Sequence, residues 1–287
     1  MKVIRTTKEY FETETEKVYF LVPFSEEVSI EFVQRVIDSV GSFIHNENCL
    51  DTMARMFDTF VDLTVTSPPY DNLRNYQGYS FNFEEIAKEL YRITKDGGVL
   101  VWIVGDATIS GSETGTSFKQ ALYFMELGFN LHDTMIWSKG GFSAVGSLAL
   151  RYGPVFDYMF VFSKGRPKTF NPIKDRKTKR AGTSFKGATM RCVDGIRRPS
   201  SKIYTIKEYG QRYNIWEIPP KGYLSHPAPF PEQLVEGHIL SWSNPGDLIY
   251  DPFMGSGTTA VVSLQHNRNY IGSEISKEYC EMAKRRV

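Results

Sequence analysis

Residues 99–104 read VLVWIV, six apolar residues with no polar break. A strand that does not alternate is buried on both faces, which is the pattern of a parallel sheet with helices on either side. The flanking sequence repeats the theme. VDLTVTS (Val61–Ser67) precedes it as a β-branched strand, and LHDTMIWSK, VFDYMFVFSK, LIYDPF and NYIGSEI follow as further strands. Between them lie helical segments. Phe83, Ile86, Ala87, Leu90 and Tyr91 form one apolar stripe that stops at a turn on Asp96-Gly97-Gly98. TSFKQALYFMEL ends at Gly128, a helix starts near Pro231, and GTTAVVSLQ and SKEYCEMAKRRV complete the set. This alternation predicts an α/β fold with a mostly parallel sheet, in which Val155–Lys164 is the antiparallel strand.

Ile30, Val33, Ile37 and Val40 are spaced for one helical face, so residues 1–41 read as a helical extension. The α/β halves then span 42–164 and 222–287. From 165 to 221 periodicity fades and Lys, Arg, Gly, Ser and Thr take over. The formal net charge is only +1, yet Lys164–Tyr213 holds 15 Lys/Arg against 3 acids. Such a local excess suits a polyanion; an ordinary solvated loop is the bland alternative. No apolar run approaches the ~18 residues needed to cross a bilayer. The start is charged on both signs and lacks an apolar signal region. Cys49, Cys192 and Cys280 have no CxxC spacing and the histidines no paired spacing, so neither disulfides nor a metal is expected. The expectation is a soluble cytoplasmic protein without a membrane partner.

Two strand ends break the pattern. TSPPY (Thr66–Tyr70) stops a β-branched run with two prolines, which lock two φ angles and delete two donors. Carbonyls beside them must face away from the sheet. The Ser67 hydroxyl and a carbonyl near Pro68 offer two acceptors for an exocyclic amine, and Tyr70 offers a ring to stack on the base. Such an amine can attack a sulfonium methyl in line, with positioning and electrostatics as the main aids. A base in a duplex must be flipped out to reach that pocket. A proline-rich strand cap is the structural alternative. DPFMGSGTT (Asp251–Thr259) turns a strand into a helix whose glycines and free N–H groups suit an anionic ligand group. Asp251 suits an ammonium and Glu274, ending another strand, suits ribose hydroxyls. Carboxylate, ammonium and ribose together describe S-adenosylmethionine, although GSGTT alone also reads as a plain turn.

The set TSPPY, DPFMGSGTT, NYIGSEI and HPAPFPEQLVE resembles the S-adenosylmethionine-dependent amino-methyltransferases of DNA bases. The catalytic motif precedes the cofactor motif with a basic region between, as in the β group of that family. The resemblance implies a permuted, Rossmann-like methyltransferase sheet of seven strands, with residues 165–221 as an inserted target-recognition region. It carries the catalytic role to Ser67, Pro68, Pro69 and Tyr70, and cofactor binding to Asp251, Phe253, Gly255, Ser256, Gly257, Thr258 and Glu274. Asn48, in NENCL, falls at the adenine-contacting position where the family has Asp. His226, Phe230 and Pro231 fall beside the methionine end of the cofactor.

Ser before Pro-Pro-Tyr goes mostly with cytosine N4 in the family, and Pro229-Phe230 replaces the Gln-Lys usual in adenine enzymes. Cytosine N4 is therefore favoured over adenine N6. RNA or protein-amide methylation and a non-catalytic DNA-binding relative are the rival readings. Arg176, Lys177, Lys179, Arg180, Arg197 and Arg198 are the candidate DNA contacts, more to phosphates than to bases. The expected partners are double-stranded DNA, a second copy of the chain and a cognate restriction endonuclease. Trp137 reads equally as a pocket aromatic or a core residue. Asp71, Asn72, Arg74 and Tyr76 read as a loop closing over the base or as polar surface.

Overall fold

The computed structural model describes residues 3–6, 10–13, 17–19, 43–69, 81–141, 150–186, 189–191, 193–199, 203–220 and 231–287. The chain opens with an antiparallel sheet of β1 (Val3–Thr6), β2 (Tyr10–Thr13) and β3 (Lys17–Tyr19). Strands therefore stand where a helical extension was expected. Their β-branched and aromatic residues favour pairing, and the stripe from Ile30 to Val40 lies outside the described residues. Next come β4 (Phe43–His45), α1 (Cys49–Arg55), β5 (Val61–Thr66), α2 (Phe83–Ile93) and β6 (Thr94–Val104). A short hairpin of β7 (Thr108–Ile109) and β8 (Ser112–Glu113) leads to α3 (Thr116–Glu126), β9 (Asn130–Ser138) and β10 (Phe156–Ser163).

The turn expected at Gly97-Gly98 is instead part of β6. Thr94 already leaves the helical region at the end of α2 and pairs with Val61, while the register slips before Leu63 meets Val99. The four residues Lys95 to Gly98 bulge out opposite Asp62, and Gly97 takes a φ of +81°. A Cβ on Gly98 would come within 3.0 Å of the Asp62 carbonyl oxygen, so this bulge needs glycine.

Residues 171–214 form a compact unit of their own, narrower than the 165–221 read from composition. It is built from nested antiparallel pairs: β11 (Arg176–Lys177) with β16 (Tyr209–Gly210), β12 (Ser184–Lys186) with β15 (Ile203–Thr205), and β13 (Thr189–Arg191) with β14 (Arg197–Pro199). The nesting places the three pairs in one hairpin, with the innermost pair set between Thr189–Arg191 and Arg197–Pro199.

The larger unit resumes with β17 (Ile215–Glu217), α4 (Glu232–Trp242), β18 (Leu248–Asp251), α5 (Thr258–Gln265), β19 (Asn269–Ser273) and α6 (Lys277–Arg286). Its sheet runs β17-β9-β10-β6-β5-β18-β19-β4. Only β10 is antiparallel to its neighbours. Among the described residues the sheet has eight strands rather than seven because Ile215–Glu217, too short to show a period, pairs with Ile136–Ser138. On one face Met53, Leu90 and Phe124 pack with Leu100, Trp102, Phe162 and Tyr250; on another side Met254, Tyr270, Cys280 and Ala283 pack together. Fully buried residues such as these supply most of the stabilisation, about 1.5–3 kcal/mol for each large aliphatic or aromatic side chain.

The late strands β18 and β19 lie between the early strands β5 and β4. Reading β18, β19, β4 and then β5, β6 recovers two windings that start side by side. Their parallel direction brings the ends of β4, β5, β6, β18 and β19 to one edge, at the switch point where such sheets bind ligands.

Candidate active site

Along that edge the two motifs meet. Thr66, the last residue of β5, donates its hydroxyl to Asp251 Oδ1 at 2.6 Å, joining residues 185 apart in sequence. The same oxygen accepts the Phe253 N–H at 3.0 Å, and Oδ2 accepts the Thr259 hydroxyl at 2.7 Å. Asp251 is 2% exposed. Burial raises its carboxyl above the ordinary value, and the Thr66, Thr259 and Phe253 donors oppose the rise. Besides the ligand-ammonium contact expected for it, Asp251 thus has a structural role, holding the start of the glycine loop against the end of β5.

The loop then makes two left-handed turns at Gly255 (φ +53°) and Gly257 (φ +84°). A Cβ on Gly257 would lie 2.8 Å from the Cβ of Ala283, so glycine is needed for both conformation and space. Gly257 caps α5 without a side-chain hydrogen bond, which leaves the first-turn N–H groups to a ligand. Glu274, just past β19, accepts the Gly255 N–H on Oε2 and the Ser276 N–H on Oε1, both at 2.8 Å. Each oxygen keeps a lone pair. Burial raises this carboxyl; the Ser276 and Gly255 N–H groups pull it back, and the nearby Asp251 charge adds to the rise.

Asn46 donates to the carbonyls of Glu274 and Ile275 at 2.9 and 3.1 Å, which sets the NENCL segment beside Glu274. Within it Asn48 serves as the N-cap of α1, accepting the Leu50 N–H at 2.9 Å. Phe253 packs against Phe81 and Trp102, with ring centroids 5.7 and 6.2 Å away. Ser67 and Pro69 are partly exposed at the end of β5 and Pro68 is buried. Pro231 is the N-cap of α4. Tyr70, His226 and Phe230, like the loop residues Asp71, Asn72, Arg74 and Tyr76, lie outside the described residues.

Sequence reasoning missed three supports. Thr66 and Thr259 stand inside the quoted motifs, but nothing in the sequence shows that both reach one carboxylate. Arg286 had no signal at all. It donates to the Ser256 carbonyl at 2.6 Å and to Glu232 Oε1 at 3.0 Å, tying the glycine loop to the start of α4. Two further residues have settled roles. Trp137 is a core residue, 6% exposed, and its indole N–H donates to the Ile218 carbonyl at 2.8 Å. Asp106, beyond β6, accepts the Ser117 N–H at 2.8 Å and so caps α3 from outside.

In the ribbon unit Lys177, Lys179, Arg180, Arg197 and Arg198 are exposed. Arg176 is half-buried, stacked 4.4 Å over the Tyr213 ring and bonded to the Gln211 carbonyl. Among the described residues no cluster of His, Cys, Asp and Glu could hold a metal ion, and no helix is long and apolar enough to cross a membrane.

Residues 61–285 match the family model described as DNA methylase. The orphan methyltransferase M.BamHII of Bacillus amyloliquefaciens is 58% identical over 239 residues, 80% of this chain and 89% of that one. The DNA adenine methyltransferase YhdJ of Escherichia coli (strain K12) is 31% identical, over 79% of this chain and 76% of its own. Among solved structures, PvuII DNA methyltransferase (cytosine-N4-specific) superposes with a TM-score of 0.62 at 20% identity, covering 85% of each chain, a likeness of fold.

Proposed function

The chain belongs to the DNA methylase family, and on that premise we propose that it methylates the N4 amine of a cytosine flipped out of duplex DNA, at a specific sequence, using S-adenosylmethionine. The observation that carries this reading is the buried hydrogen bond from Thr66 to Asp251, which fastens the amine-binding strand end to the cofactor loop. A reaction that needs little more than two reactants in line is served by such a rigid junction.

The residues present fit the cofactor. The uncapped start of α5 suits its carboxylate, the free lone pairs of Glu274 suit ribose hydroxyls, and the turns at Gly255 and Gly257 let the backbone approach closely. We assign Asn48 and Phe253 to the adenine end and Pro231 to the methionine end, the role that the family resemblance also gives to His226 and Phe230. When bound, S-adenosylmethionine supplies an electrophilic methyl group on a sulfonium. Ser67 and a carbonyl near Pro68 accept the two hydrogens of the target amine, which holds the nitrogen lone pair out of the ring and toward the methyl group. Tyr70 would stack on the base; as the new N–C bond formed, the methyl C–S bond would break to leave a neutral thioether, and the amine would give up one proton to water. Ser67, in place of an acid or amide, favours cytosine. The name of the YhdJ relative favours adenine N6 as the second reading. A restriction endonuclease for the same site and a second copy of the chain are the proposed protein partners.

Incubation with methyl-labelled cofactor and unmethylated duplex DNA tests the proposal. Label should enter DNA with the wild type and fall at least a hundredfold with Ser67→Ala, while cofactor binding is kept. Cofactor binding with no label in DNA, but label in RNA or protein, would overturn it.

A further inference from the structure

The ribbon of residues 171–214 holds 12 Lys/Arg against 3 acids, and at its turn stand two aliphatic side chains. Val193 is fully exposed and Ile196 is 57% exposed. Isolated surface aliphatics need no explanation, but these two sit at the end of a highly charged hairpin. The turn that bears them is also braced by hydrogen bonds. Asp194 accepts the Ile196 N–H on Oδ1 at 3.0 Å and the Arg198 guanidinium on Oδ2 at 2.6 Å, and Gly195 takes a φ of +77°. Two of the three acids are thus engaged within the unit, since Asp175 is paired with Arg212. Arg197, exposed and next to the tip, has no carboxylate partner among the described residues.

We propose that the turn Val193–Ile196 is a sequence-reading tip, with Val193 and Ile196 touching base edges in the major groove and Arg197 gripping a neighbouring phosphate. The proposal rests on the reading of the chain as an enzyme of duplex DNA. A two-stranded ribbon fits the major groove, which is about 12 Å wide, and aliphatic groups there meet thymine methyls. The net positive unit is drawn to phosphates without regard to sequence. An apolar tip adds what charge lacks, a contact that differs from one base pair to another. Because Asp194 already braces the turn through Ile196 and Arg198, less ordering remains to oppose binding. Arg198, held by Asp194, acts here as a support of the turn rather than a DNA contact of its own.

The test uses the full chain and a random-sequence duplex library. Bound DNA is selected and sequenced, and methyl transfer is measured on the same proteins. The double variant Val193→Ser, Ile196→Ser should lose about tenfold of the preference at one or two base pairs of the selected motif. Its cofactor binding and the salt slope of its DNA binding should be those of the wild type. Arg197→Ala should weaken all sequences alike and make the salt slope shallower by about 1. A double variant that selects the wild-type motif at wild-type strength would overturn the proposal, as would a wild type that selects no motif. A wild type that selects a motif yet transfers no methyl group would sink the enzymatic reading and leave the tip to be judged by its variant.

Discussion

Replacing Thr66 with valine removes one hydroxyl and leaves the shape of the strand end nearly unchanged. The lost hydrogen bond is buried, 2.6 Å long and made to a carboxylate that is itself 2% exposed. Hydrogen bonds to charged groups contribute about 1.5–3 kcal/mol, and no cavity is created to add to that. A loss of about 2 kcal/mol should lower Tm by roughly 4–8 °C in a chain of this size class. Thr66→Ser keeps the donor and loses a methyl group, so it should cost only about 1 kcal/mol.

The valine deficit should also depend on pH. Burial raises the Asp251 carboxyl in the folded state, so its ionisation takes stability away as pH climbs from the unfolded value through the raised folded one. The Thr66 hydroxyl relieves that loss by stabilising the charged form. Its removal is therefore felt most above the carboxyl range, and the gap to wild type should narrow as pH falls through the raised carboxyl of Asp251. Because Thr66 precedes Ser67, misplacement of the strand end should lower kcat by about tenfold to a hundredfold. Thermal unfolding of the three proteins at pH 8 and pH 5, with methyl-transfer kinetics, measures all of this. Valine and serine variants of equal Tm and equal kcat would mean that the Thr66 hydroxyl holds neither the fold nor the strand end.

Three further outcomes follow from the same geometry. Gly257→Ala must force a side chain into a φ of +84° and against Ala283. It should cost about 1–3 kcal/mol in thermal unfolding and weaken cofactor binding in calorimetry. Wild-type affinity for the cofactor should fall as pH drops through the raised carboxyl of Glu274, because a protonated acid loses an acceptor for the ribose. Glu274→Gln should bind about tenfold more weakly at pH 8 and show a flatter titration between pH 8 and 5.5. Binding to duplex DNA should fall by roughly a thousandfold between 50 and 200 mM salt if the basic unit makes about six phosphate contacts.

The central strands were legible because burial on both faces writes itself as unbroken apolar runs, as in Val99–Val104. The strand end at Pro68 and the turn at Gly255–Gly257 were legible because proline and glycine report backbone geometry directly. Edge strands were harder. Phe43–His45 and Ile215–Glu217 have three residues each, too few for any period. Gly97-Gly98 read as a turn because a bulge and a turn call on the same residue. The structural role of Asp251 was not legible because its burial and its bond from Thr66, 185 residues away, arise only in the folded sheet. Arg286 reaches the glycine loop only through the packing of α6, which nothing local in the sequence announces.

Methylation of cytosine at N4 shows itself most plainly in the nucleosides. Unmethylated DNA of mixed sequence is incubated with the protein and S-adenosylmethionine, digested to nucleosides and resolved by mass spectrometry. N4-methylcytosine is the predicted product. N6-methyladenine would contradict the assignment of the base while keeping the site, and DNA without either would contradict the account as a whole.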